Sequence, residues 1–116
     1  MGNPTMWFEV AGKDREALKD FYSQLFEWKL TDMDAMPYTA VDTGGEGIPG
    51  GIGAAPDGHP GHVTFYVQVD DIEAALAKAE ALGGKRAMGP MDIPSGQIAL
   101  FTDPEGHAIG LMTRMS

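Results

Sequence analysis

Apolar residues recur along this chain in two periods, and the order of those periods is used twice. Residues 6–10 are mostly apolar and read as a strand. Leu18, Phe21, Tyr22, Leu25 and Phe26 then recur at three- and four-residue spacing, which predicts a helix over residues 15–26 with that stripe buried. Asp14 is placed to cap it, with Glu16 in the first turn. Short strand-like runs follow at residues 28–30, 38–41 and 51–55, with Met36-Pro37 in a turn. The Gly-rich stretch at residues 44–53 lacks the Gly-Lys-Ser/Thr of a phosphate loop and a GxGxxG opening a helix. Its glycines are read as tight turns around the fourth strand.

The plan repeats after a Gly- and Pro-rich linker at residues 56–61. Residues 62–69 form the clearest strand. Asp70 or Asp71 caps a second helix that Gly83-Gly84 ends. Strands are expected at residues 85–88, 97–102 and 108–113. Gly89-Pro90, Ile93-Pro94-Ser95-Gly96 and Asp103-Pro104-Glu105-Gly106 are the turns between them. The two helix starts lie about 57 residues apart, which is too long and too few for a solenoid. One domain spanning residues 1–116 is expected, made of half-domains over residues 1–57 and 58–116.

Alternation assigns the faces of the leading strands. Val63, Phe65, Val67 and Val69 should meet a helix, whereas His62, Thr64, Tyr66 and Gln68 should face something wetter. On the first strand, Met6, Phe8 and Val10 point helix-ward, and Thr5, Trp7 and Glu9 the other way. With helices outside, the wetter faces would line a cavity between the halves.

Composition narrows the function. The 116 residues, 43 % hydrophobic, suffice for a core without staples. There is no cysteine, hence no disulfide and no thiolate chemistry. Seventeen acidic against eight basic residues give a net charge of −9, which disfavours nucleic acid and anionic membrane surfaces. No apolar run reaches the roughly 18 residues of a membrane span, and the N-terminus has no signal-type segment, so a cytoplasmic location is expected.

The order βαβββ-βαβββ resembles the vicinal oxygen chelate superfamily, which includes glyoxalases, bleomycin resistance proteins and extradiol dioxygenases. The carriers are Phe21-Tyr22 with Leu25-Phe26-Glu27-Trp28, then Val69-Asp70-Asp71-Ile72-Glu73-Ala74-Ala75, Ala81-Leu82-Gly83-Gly84, and Phe101-Thr102-Asp103-Pro104-Glu105-Gly106-His107. The resemblance implies an α+β fold in which two βαβββ modules form a curved mixed-sheet cup with helices outside. It also implies a homodimer. In metal-dependent members each of four strands supplies a ligand. Those positions fall here on Trp7, on the glycines of residues 50–53, on Thr64 and on Gly110. None is a donor for a divalent ion. No cofactor is therefore expected, although Glu9 with His62 or Tyr66 could serve a metal as displaced ligands.

Glu9 is the candidate general base, its alternative role being to hold a neighbouring strand or an arginine. His62 is read as a base, a ligand or an exposed edge residue. His59 is a solvated linker residue, and His107 and Asp103 are expected to hydrogen-bond within their turn. Trp7, Glu9, His62, Thr64, Tyr66, Gly110 and Met112 are the expected binding set for a small organic ligand, flat or cationic. Tyr38 and Phe101 are read as either pocket or core. The leading functional reading is a small-molecule-binding protein without the usual metal site. The alternatives are a metal-dependent lyase or dioxygenase and a metal-free enzyme with Glu9 as base.

Overall fold

The computed structural model describes residues 2–34 and 36–113. Residues 7–63 form one compact unit, and residues 64–113 together with residues 2–6 form another. The element order is β1 (Thr5–Gly12), α1 (Arg15–Phe26), β2 (Lys29–Asp32), β3 (Tyr38–Asp42), β4 (Gly50–Ala54), β5 (His62–Val69), α2 (Ile72–Ala81), β6 (Lys85–Ile93), β7 (Gly96–Thr102) and β8 (Ala108–Thr113). This is the expected α+β order of two βαβββ modules.

In the first unit the strands run β2-β3-β4-β1. β1 pairs with β4 in parallel, and β3 pairs antiparallel with both β2 and β4. Register places Val10 beside Ile52 and Ile52 beside Thr39, so the three share one face. All three are buried, as is Val41. On that face Phe8 meets Trp28 at 5.3 Å between ring centroids, and Trp28 stacks on Tyr22 at 5.6 Å. Asp14 caps α1 by accepting from the Ala17 backbone N–H at 3.0 Å. The expected stripe of α1 is only partly covered. Leu18 and Tyr22 are half-buried, but Phe21, Leu25 and Phe26 are 57 %, 57 % and 53 % exposed. At about 3.6 residues per turn Phe21 and Leu25 fall on the side of Leu18 away from Tyr22, and Phe26 is the last residue of the helix, so the sheet meets only one flank of the stripe.

The glycines of β4 also differ from their expected role. Gly50, Gly51 and Gly53 are buried in an extended strand, not in turns. Two of the turn glycines do lie upstream, Gly44 and Gly45, at positive φ. Within β4 the missing side chains make room for rings, since a Cβ at Gly50 would overlap Phe8 and one at Gly51 would overlap Tyr38.

In the second unit the order is β5-β8-β7-β6, with β5 and β8 parallel and the rest antiparallel. Ile72 and Leu76, on one face of α2, pack with Ala99 and Leu111 as a buried cluster, flanked by Val67, Val69, Ala75 and Phe101. Phe101 thus belongs to the core. Asp71 is the N-cap, accepting from Ala74 at 3.1 Å, and Gly83 follows the helix at φ 105°. Val67 and Val69 face this core as expected, but Val63 and Phe65 are 75 % and 42 % exposed. The alternation is real, yet α2 covers only the far end of the strand. β6 runs past the turn expected at Gly89-Pro90, because irregular register against β7 absorbs the pair within the strand.

The turn before β8 is tied by Asp103. Its carboxylate accepts from the Glu105 and His107 backbone N–H groups at 2.9 Å each and contacts His107 Nδ1 at 3.0 Å. The His107 backbone donor chiefly, with the imidazole and Glu105 adding to it, holds the carboxyl below its ordinary value of 3.8. A depressed folded value stabilises the native state above the unfolded value, and that stabilisation fades as pH falls through the folded one. Asp103→Asn is therefore expected to melt below wild type at pH 7, with the gap narrowing as pH falls below 3.8. Paired melting curves check it.

Candidate functional site

The face of the first unit opposite α1 carries the chemistry. Register puts Glu9 beside Gly51 and Gly51 beside Ala40; it also puts Ala11 beside Gly53 and Gly53 beside Tyr38. Side chains at these positions share a face. β4 contributes only glycine there, so the Tyr38 ring lies across β4 and its hydroxyl reaches β1.

Four side chains form one hydrogen-bonded chain. Trp7 Nε1–H donates to the Tyr38 hydroxyl at 2.9 Å. That hydroxyl donates to Glu9 Oε1 at 3.1 Å. His62 Nε2 lies 2.6 Å from Glu9 Oε2. The Glu9 and His62 side chains are 13 % and 19 % exposed, so the pair is mostly dry yet reachable. A carboxylate in this setting gains from charge-assisted hydrogen bonds on both oxygens, worth roughly twice a neutral bond each. His59 stands edge-on to His62 at 6.2 Å, with its own Nδ1 accepting from the Gly61 backbone at 3.1 Å.

Of the expected binding residues, Trp7, Glu9 and His62 come together here. Thr64, Tyr66, Gly110 and Met112 are gathered in the second unit. Tyr66 is paired with Gly110 in the β5–β8 register, and its ring occupies the space a Cβ at Gly110 would need. Thr64 donates to the Ala108 carbonyl at 2.6 Å. Thr64, Tyr66 and Met112 are buried at 5 %, 6 % and 7 % exposure. Tyr38, which the sequence left as either pocket or core, joins this cluster through its hydroxyl. The small-residue face built by Ala40, Gly51 and Gly53 gives its ring room to cross β4.

The donor set does not fit a divalent ion. Among the described residues, no group of three or more His, Asp or Glu is placed to hold a metal. Glu9 and His62 supply two donors, which face each other at 2.6 Å, one fewer than the three protein ligands of a usual catalytic site. Also among the described residues, no helix is long and apolar enough to cross a membrane.

Two βαβββ modules with this order define a known class. The chain belongs to the Glyoxalase/Bleomycin resistance protein/Dioxygenase superfamily, whose model matches residues 6–111. Among individual proteins, it is 34 % identical to CFP32 of Mycobacterium tuberculosis, provisionally named a glyoxylase, over 95 % of this chain and 45 % of that protein. It is 32 % identical to the anthracycline biosynthesis protein DnrV of Streptomyces peucetius, over 90 % of this chain and again 45 % of the relative. The chain thus spans less than half the length of these relatives. The Mn(II)-bound glyoxalase of Novosphingobium aromaticivorans shares the fold with a TM-score of 0.66 at 18 % identity, over 98 % of this chain and 40 % of that one.

Proposed function

We propose that this chain is a small-molecule-binding module of the superfamily, and that it takes its ligand at Trp7, Tyr38, Glu9 and His62 without a divalent metal. The observation that supports the reading is the Glu9–His62 pair at 2.6 Å, mostly dry and flanked by an indole and a phenol. Aromatic faces with a few placed polar groups are what small organic ligands require. The relatedness to a glyoxylase-type protein and to an anthracycline biosynthesis protein fits ligands of that size. The acidic surface favours neutral or cationic ones.

Metal content by mass spectrometry, followed by melting in nickel, zinc, manganese and iron, tests the metal-free part of the reading. The expected result is no stoichiometric metal and no ion-specific shift. A site that bound an ion at a hundred times its Kd would gain about 2.7 kcal/mol, a shift easily seen. Such a shift would favour the alternative of a metal-dependent lyase or dioxygenase with displaced ligands.

The same reading pairs two copies of the chain. Phe21, Leu25 and Phe26 expose three large apolar side chains along α1, and Val63 and Phe65 expose two more on β5. Clustered exposed apolar groups mark interaction surfaces. Light scattering after gel filtration is expected to give twice the mass of one chain, and Leu25→Asp or Val63→Asp is expected to reduce it.

A further inference from the structure

We propose that His62 is the proton-accepting group of this site, that Glu9 is its positioning residue, and that the ligands are weak acids bearing a transferable O–H proton, such as phenols and enols. The proposal rests on the reading above that a small ligand is bound at this cluster.

The inference comes from which atoms are occupied. Glu9 accepts from Tyr38 on Oε1 and meets His62 on Oε2, so both oxygens are engaged in holding the cluster, and the better acceptor for a ligand's proton is an imidazole nitrogen whose lone pair has no partner. A carboxylate bound to one imidazole nitrogen fixes the tautomer: the proton sits on the bonded nitrogen and the other nitrogen carries the lone pair. The bonded nitrogen of His62 is Nε2. Nδ1 is therefore the lone-pair nitrogen, and among the described residues no hydrogen bond to it is formed. His59 does not offer this arrangement, and His107 repeats the carboxylate–imidazole pair only at an exposed turn. His59 spends Nδ1 on the Gly61 N–H, and His107, with its side chain 70 % exposed, spends Nδ1 on Asp103.

The step balances without a cofactor. The ligand O–H bond breaks and an Nδ1–H bond forms, leaving the ligand as an anion. The imidazolium produced lies against the Glu9 carboxylate, which compensates its charge at 2.6 Å. Trp7 and Tyr38 offer aromatic surface to the ring or enol system of the ligand.

Two readings on the full chain test this. The first needs no ligand. In 15N-labelled protein at about pH 8, where an ordinary imidazole is neutral, His62 is expected to show an Nε2–H proton protected from exchange with water. His62→Gln assigns it among the three histidines. The protected signal is expected to vanish in Glu9→Ala while the backbone amide spectrum persists. A proton on Nδ1 in the wild type overturns the assignment even if Glu9→Ala does not fold, and so does a protected signal that survives in Glu9→Ala. The second reading is the absorbance of 4-nitrophenol at a pH low enough that the free compound is the colourless phenol. The expected result is binding as the yellow phenolate, weakened at least about tenfold, some 1.4 kcal/mol, in His62→Gln. Binding equal in wild type and His62→Gln overturns this inference and leaves the proposed binding function standing. No phenol binding overturns the ligand class, while neutral or cationic aromatics that still bind would uphold the broader reading.

Discussion

Gly51→Ala is expected to weaken ligand binding by about 10–100-fold while leaving the fold intact. Gly51 lies in the extended strand β4 and is not among the residues at positive φ, so its backbone accepts alanine. The new methyl group would sit where the Tyr38 hydroxyl and ring now lie. β4 is hydrogen-bonded on both sides and cannot retreat, so the Tyr38 side chain must swing away. That breaks its hydrogen bond to Glu9 and removes the partner of the Trp7 indole. A hydrogen bond to a charged group is worth about 1.5–3 kcal/mol, which sets the tenfold-to-hundredfold range. Gly53→Ala supplies the graded control. Its Cβ would stand 3.2 Å from Tyr38 Cδ1, so a shift of a few tenths of an ångström suffices and the effect should be much smaller. In a Tyr38→Ala background the Gly51→Ala penalty should vanish, which a double-mutant cycle reads directly.

Leu76→Ala is expected to cost about 2–5 kcal/mol of stability, read from the urea midpoint at unchanged slope. Leu76 is fully buried at 0 % exposure, one turn from Ile72 on α2, against Ala99 and Leu111. Ala99 has no rotatable side chain that could turn into the vacated volume. The sheet beneath α2 is fixed by the β7–β8 pairing, in which Ala99 stands beside Leu111. Both conditions push the loss toward the cavity-leaving end of the range. A loss under about 1 kcal/mol would mean that α2 slides to close the gap.

The repeat of strand, helix and three strands was legible because period-two and helical spacing alternate cleanly and each helix has its Asp cap. The burial of those elements was less legible. Periodicity identifies the apolar face of α1, but not how much sheet lies under it, and so Phe21, Leu25 and Phe26 were read as core. The same holds for Val63 and Phe65, which continue the alternation of β5 beyond the reach of α2. Glycine misled for a different reason. In a loop it permits positive φ, but in β4 it makes space for a ring, and only the register between strands tells the two uses apart. Glu9 and His62 each stood out as ionisable residues on leading strands. The two were placed in one binding set, but their direct hydrogen bond was not legible, because it joins positions 53 residues apart through tertiary structure alone. Tyr38 was visible as an aromatic residue, but its role depends on Gly51 and Gly53 being its neighbours across the strand pair.

The measurement that tests this account most directly is amide and indole chemical-shift mapping of chelator-treated, 15N-labelled chain against a panel of small aromatic compounds. The expected result is binding without added metal, with the largest shifts at the Trp7 indole N–H and at Glu9, Tyr38, Gly51 and His62, and no change in affinity when manganese or zinc is restored. Binding that appears only after a divalent ion is added, or shifts that map away from these residues, would contradict it.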